Sequence, residues 1–163
     1  MLQTSWINSL TQSLPRKQDN RLSLPRTCLI GIGSDLRGDD SAGLVVIRQM
    51  LQHSYADNLC LIEGGPAPEN VTGQIRAFHP DLVILVDAAH MDMPPGTIQW
   101  IPLESIDGMS ASSHSLPLSM LASYLTAEIG CEVTVLGIQP VQNEIGFGLS
   151  SFVKSAVDEI VIE

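Results

Sequence analysis

Basic residues are scarce through most of this chain. Beyond residue 26 the sequence carries only Arg37, Arg48, Arg76 and Lys154 against 17 acids, a net of −13. Such a body repels a phosphate backbone, which disfavours nucleic-acid binding. No run of about 18 apolar residues occurs, so no helix is expected to insert in a membrane. The opening Met-Leu-Gln-Thr-Ser lacks the charged-then-apolar order of a secretory signal, which points to a cytoplasmic protein. Cysteine is limited to Cys28, Cys60 and Cys131, odd in number, widely spaced and without a C-x-x-C pair. That pattern fits buried free thiols in a reducing compartment better than a disulfide framework or a zinc cluster. There is no internal repeat and no low-complexity tract.

With 163 residues and 44 % apolar content, the chain is long enough for one domain with its own core and too short for two ordinary ones. Residues 1–26 read as an appended arm. Arg16, Lys17, Arg21 and Arg26 face a single acid there, Asp19, and Pro15 and Pro25 punctuate it. The arm is expected to be poorly ordered unless it docks, with room for a short amphipathic helix over 6–14. Residues 27–163 form the domain.

In that domain short continuous apolar runs alternate with helical patterns. Strands are expected over 27–33, 59–63, 82–88, 97–101 and 131–138. Helices are expected over 39–52, 68–78, 116–129 and 150–162, with 108–113 as a loop. The run LVILVDA, residues 82–88, is the strongest buried-strand signal. Strands of this kind alternating with helices imply a mostly parallel sheet covered on both faces, an α/β fold.

Ligand sites in such sheets form beyond the C-terminal ends of the strands, which singles out three places. The first is Gly31-Ile-Gly-Ser-Asp-Leu-Arg-Gly-Asp39-Asp40. It is not a dinucleotide fingerprint, because its third glycine comes four residues after the second. Nor is it a P-loop, because Asp39 and Asp40 stand where the lysine and hydroxyl belong, and two carboxylates repel a phosphate. What remains is a glycine-bounded turn delivering two acids to a helix start, where either acid can simply cap the helix. The second place is Asp87, an acid closing the most apolar strand, where an ionised carboxylate needs a partner. His90 and Asp92 beyond it read as loop residues. The third is His114, at a helix entry, while His53 and His79 look solvated. Two carboxylates and an imidazole, Asp40, Asp87 and His114, suit a divalent transition metal with open positions. Spacing alone makes that a weak signal.

The stretches GIGSDLRGDDSAG (31–43), EGGPAPEN (63–70), LVILVDAAHMDMPPGTI (82–98), SSHSLPL (112–118) and VTVLGIQP (133–140) resemble the hydrogenase maturation proteases, most of all the branch serving hydrogenase 3. They keep that family's order and spacing over about residues 28–160. The resemblance implies a three-layer α/β/α sandwich around a twisted, mostly parallel five-stranded sheet. It implies an endopeptidase that removes the C-terminal extension of a [NiFe] hydrogenase large-subunit precursor after nickel insertion. The family's nickel-binding and catalytic acids and histidine fall, by motif, on Asp40, Asp87 and His114. Nickel would arrive with the precursor, and no organic cofactor is implied. A carboxylate near the metal, Asp39 or one of the trio, would activate water. H-E-x-x-H is absent, and no Ser-His-Asp order stands out. Two departures are Ser34, where the family usually has Asn, and Glu63, where it commonly has Asp. Two alternatives stay open at this point: another metal-dependent hydrolase, and a non-catalytic nickel-binding or chaperone-like relative.

Overall fold

The structure is a computed structural model that describes residues 25–111, 116–141 and 144–162. Its centre is β3, Leu82–Ala88, in which every residue is buried. A strand covered on both faces has to present apolar side chains both ways, and LVILVDA does so up to its aspartate. β1 (Thr27–Ile32) and β5 (Glu132–Ile138) flank β3 in parallel. β2 (Leu59–Gly65) continues the sheet beyond β1, also in parallel. β4 (Ile98–Ile101) forms the other edge, antiparallel to β5. The order β2-β1-β3-β5-β4 gives the mostly parallel five-stranded sheet that the sequence implies.

The two-residue period of the strands divides the core into two layers. Cys28, Ile30, Ile32, Val83 and Leu85 pack on one side with the buried faces of α2 (Thr72–Phe78), α3 (Ile106–Met109) and α4 (Leu118–Ile129). Leu29, Leu82, Ile84 and Val86 pack on the other with α1 (Ala42–Met50) and α5 (Ser151–Ile162). The Asp87 position shares the parity of Val83 and Leu85, so its side chain belongs to the first layer. Truncating a fully buried side chain such as Leu85 to alanine typically costs 2–5 kcal/mol, which is the scale of what holds these layers on the sheet.

Three local differences from the sequence expectation have simple causes. The helices expected from Asp39 and from Pro68 each begin with a 3-10 turn, Gly38–Ser41 and Pro68–Val71, the tighter winding common at helix entries. The one-turn helix α3 was not expected, since Gly108 lowers local propensity, but the fully buried Ile106 anchors it to the core. Arg26, grouped with the arm by charge, is tied into the domain. Its guanidinium donates to the Phe78 carbonyl at 2.7 and 3.1 Å and lies 4.2 Å from the Phe78 ring centre, while its backbone N–H donates to Asp81 at 3.0 Å. The amphipathic helix expected over 6–14, the arm through residue 24, and His114 with its neighbours 112–115 lie outside the described residues. Among the described residues no helix is long and apolar enough to cross a membrane.

Candidate active site

The glycines of the first motif set where Asp40 sits. Gly33 has φ +136°, and a Cβ there would lie 1.8 Å from the Asp40 carbonyl oxygen, so the turn closes on itself only with glycine. At Gly43, in the first turn of α1, a Cβ would meet the Val86 carbonyl oxygen at 2.2 Å and that of Ile32 at 2.5 Å. The start of α1 therefore rests directly on the C-terminal ends of β1 and β3. Asp40, three residues earlier, is 1 % exposed, and its Oδ2 accepts the Ser34 N–H at 3.1 Å.

Asp87 reaches the same edge along β3 itself and is fully buried. Its Oδ2 accepts the Ser110 hydroxyl at 2.6 Å. Ser110 is held there by a bridge to Ala89 and by the Ala111 N–H, which donates to the Ala88 carbonyl at 2.9 Å. Two buried carboxylates thus stand at the ends of adjacent parallel strands, each with a hydrogen-bond donor on one oxygen. Such a pair is expensive to desolvate and suited to a divalent cation or to handling a proton. His114, the third expected member, is outside the described residues, and no group of three or more His, Cys, Asp or Glu forms a metal-sized cluster among those described.

Asp39 turns away from its neighbour. Its Oδ1 accepts the Ser150 N–H at 2.6 Å, and its Oδ2 accepts the Val141 N–H at 2.8 Å and the Ser150 hydroxyl at 2.9 Å. The N-cap positions fall on Arg37 for the 3-10 turn and on Ser41 for α1, so the helix start expected at Asp39 or Asp40 is corrected. Asp39 instead fastens the two ends of the 141–150 segment to the motif turn. The Gly146 N–H adds a bond of 3.1 Å to the Leu36 carbonyl.

The other wall of the motif turn is ionic. Arg48 donates to Asp35 at 2.6 and 3.0 Å and to Glu63 at 2.8 and 3.1 Å, joining the turn to the end of β2. Hydrogen bonding from Arg48 holds the Asp35 carboxyl below the ordinary carboxylate range. The longer Glu63 thus serves as an anchor for Arg48. An open cleft of about 440 Å³ lies here, lined in part by Ser34, Leu36, Arg48, Glu63 and Pro66. The Ser34 departure leaves Asp40 unaffected, because the contact uses a backbone N–H that any residue but proline supplies.

His90 and Asp92 are exposed, as are His53 and His79. Cys28 and Cys131 are buried free thiols; Cys60, paired with Cys28 across β1 and β2, is partly buried. Burial, with Cys60 beside it, pushes the Cys28 thiol well up. Sequence reasoning missed Ser110, Ser150 and Gln139. Gln139 follows the apolar β5 much as Asp87 ends β3, and that parallel was a usable signal. It is 8 % exposed, and its Oε1 accepts the Met91 N–H at 2.7 Å, organising the turn after Asp87. No local signal marks the two serines.

Known proteins share this fold. The sequence profile of the HycI family, described as hydrogenase maturation protease, matches residues 45–163. The hydrogenase 3 maturation protease of Escherichia coli K12 is 34 % identical over 133 residues, which is 81 % of this chain and 84 % of that protein. The crystal structure of a [NiFe] hydrogenase maturation protease from Thermococcus kodakarensis superposes with a TM-score of 0.74 at 32 % identity, covering 85 % of this chain and 93 % of that one. The solution structure of an Escherichia coli endopeptidase, HycI, gives a TM-score of 0.72 at 34 % identity, covering 81 % and 84 %.

Proposed function

This chain belongs to the HycI family of hydrogenase maturation proteases, and from that premise we propose that it removes the C-terminal extension of a [NiFe] hydrogenase large-subunit precursor once nickel is in place. Membership makes it an endopeptidase. The finer reading is that Asp40, Asp87 and His114 recognise the nickel carried by the precursor and so bring the scissile peptide to the sheet edge. The observation that carries it is the pair of buried carboxylates, Asp40 and Asp87, at the ends of β1 and β3. Their donor atoms suit a borderline divalent ion, and an imidazole completes a mixed set of the usual kind. The hydrogen bonds from Ser34 and Ser110 are what oriented carboxylate ligands need.

Hydrolysis of a peptide needs a polarised carbonyl and an activated water. Nickel that comes with the substrate supplies Lewis acidity. One of the two buried carboxylates takes the proton from water. The bonds that Val141 and Ser150 make to both oxygens of Asp39 favour Asp40 or Asp87 over Asp39 for that role. On this reading the protein needs no organic cofactor and works in the cytoplasm.

The test is to mix the purified protein with nickel-loaded and nickel-free precursor and record intact masses. Loss of one C-terminal peptide from the nickel-loaded form alone is the expected result. Cleavage of both forms removes nickel as the recognition element. Cleavage of neither overturns the assignment.

A further inference from the structure

Around the buried edge the surface is unexpectedly apolar for an acidic body. Ile145 and Leu36, at 70 % and 69 %, are the two most exposed large apolar side chains among the described residues. The Gly146 N–H bonded to the Leu36 carbonyl brings them into the same neighbourhood. Phe147 at 52 % and Val141 at 53 % belong to the same segment. We propose that Leu36, Val141, Ile145 and Phe147 form a preorganised docking surface for an apolar face on the body of the precursor. It engages the folded part of the substrate, as distinct from the cleaved tail. This inference rests on the function proposed above and specifies how the same site selects its substrate.

Three observations argue for that occupant. The surface is continuous with the reacting edge: Leu36 belongs to the turn that carries Asp40, and the Val141 N–H binds the carboxylate of Asp39, next to Asp40 in the chain. A protein whose scissile bond reaches Asp40 and Asp87 has to lie beside these side chains, whereas a second copy seated here would cover the edge. Next, the segment is fastened at both ends. A fully buried carboxylate is a costly way to hold a surface loop, and Asp39 spends three hydrogen bonds on it. Residues already tied to Asp39 lose less conformational freedom on docking, and that raises affinity. Finally, exposed aromatic and aliphatic side chains brought near one another are the usual anchors of interfaces with folded proteins.

The experiment compares wild type with the double variant I145S/F147S. The control is L51S, which removes an exposed leucine at the far end of α1. Both replaced loop side chains are exposed, so the thermal midpoint should not move. Two readouts are taken on the nickel-loaded precursor: cleavage kinetics, and equilibrium binding by interferometry. Binding does not depend on turnover. The expected result is a KM and a Kd raised about tenfold or more, with kcat within twofold of wild type and L51S unchanged, as for lost interface anchors. Equal binding by wild type and the double variant overturns the docking surface while cleavage leaves the function intact. Absence of binding by wild type overturns both. A dimer in sedimentation that the double variant dissociates assigns the surface to self-association and overturns the proposal as well.

Discussion

The carboxylate of Asp39 and the backbone of Ser150, 111 residues apart in sequence, meet at 2.6 Å, and the Ser150 hydroxyl adds a second bond at 2.9 Å. Two adjacent acids therefore divide the work of one turn. Asp40 stays at the sheet edge, and Asp39 ties the chain's last long segment to it. D39N keeps the shape but turns one acceptor into a donor facing an N–H or hydroxyl. The expected loss is about 2–4 kcal/mol of stability, read as a shift in the denaturant midpoint. S150A, which keeps the backbone bond, should lose only about 1 kcal/mol. If D39N matched wild type in both stability and KM, the clamp would carry no weight.

Asp87 is predicted to show the opposite pattern. It is fully buried as an acid, and D87N removes a desolvated charge while keeping an acceptor for the Ser110 hydroxyl. Thermal unfolding should be unchanged or higher, with cleavage of the nickel-loaded precursor lost by about 100-fold or more, the trade of stability for activity expected at a functional site. A stable D87N with normal cleavage removes Asp87 from the site.

Gly43 is the tightest structural prediction. A methyl group there meets two carbonyl oxygens at 2.2 and 2.5 Å, and neither belongs to a movable side chain. G43A should cost about 3 kcal/mol or more and displace the start of α1, reducing cleavage in whatever fraction remains folded. Circular dichroism melts beside single-turnover assays separate the two effects.

Alkaline pH should weaken the fold through Cys28. Its thiol is raised in the folded chain by burial and by Cys60. The folded state then holds its proton more tightly than the unfolded state, so this contribution is fully present below the unfolded thiol value, near 8.5, and declines as pH rises above it. The slope is at most about 1.4 kcal/mol per pH unit for one thiol. In reducing buffer, C28A should be less stable at pH 7 yet show a flatter decline between pH 8.5 and 10. Parallel slopes would place the titration elsewhere.

Much of the fold could be read because local pattern and tertiary placement agree. Leu82–Ala88 was legible to the residue, since a strand buried on both faces leaves no polar alternation to confuse its ends. The buried acids were marked in the sequence too: Asp87 closes an apolar run, and Asp40 sits in a glycine-bounded turn. The antiparallel direction of β4 was not readable, because a four-residue strand carries no sign of its direction. The partners of the acids around the motif turn and of Asp87 were hidden too. Ser110 and Ser150 are ordinary loop serines whose role comes from where the folded chain returns, and nothing in the sequence pairs Arg48 with Asp35 and Glu63.

The two layers give the sheet edge a further property. Asp40 is carried by the turn entering α1, on one side of the sheet, and the serine that steadies Asp87 follows α3, on the other. A chain with only one layer closed has either Asp40 misplaced or Asp87 unsupported. With the roles proposed for Asp40 and Asp87, proteolytic competence is a late product of assembly. Turnover itself becomes a gauge of how many molecules in a preparation have completed both halves of their core.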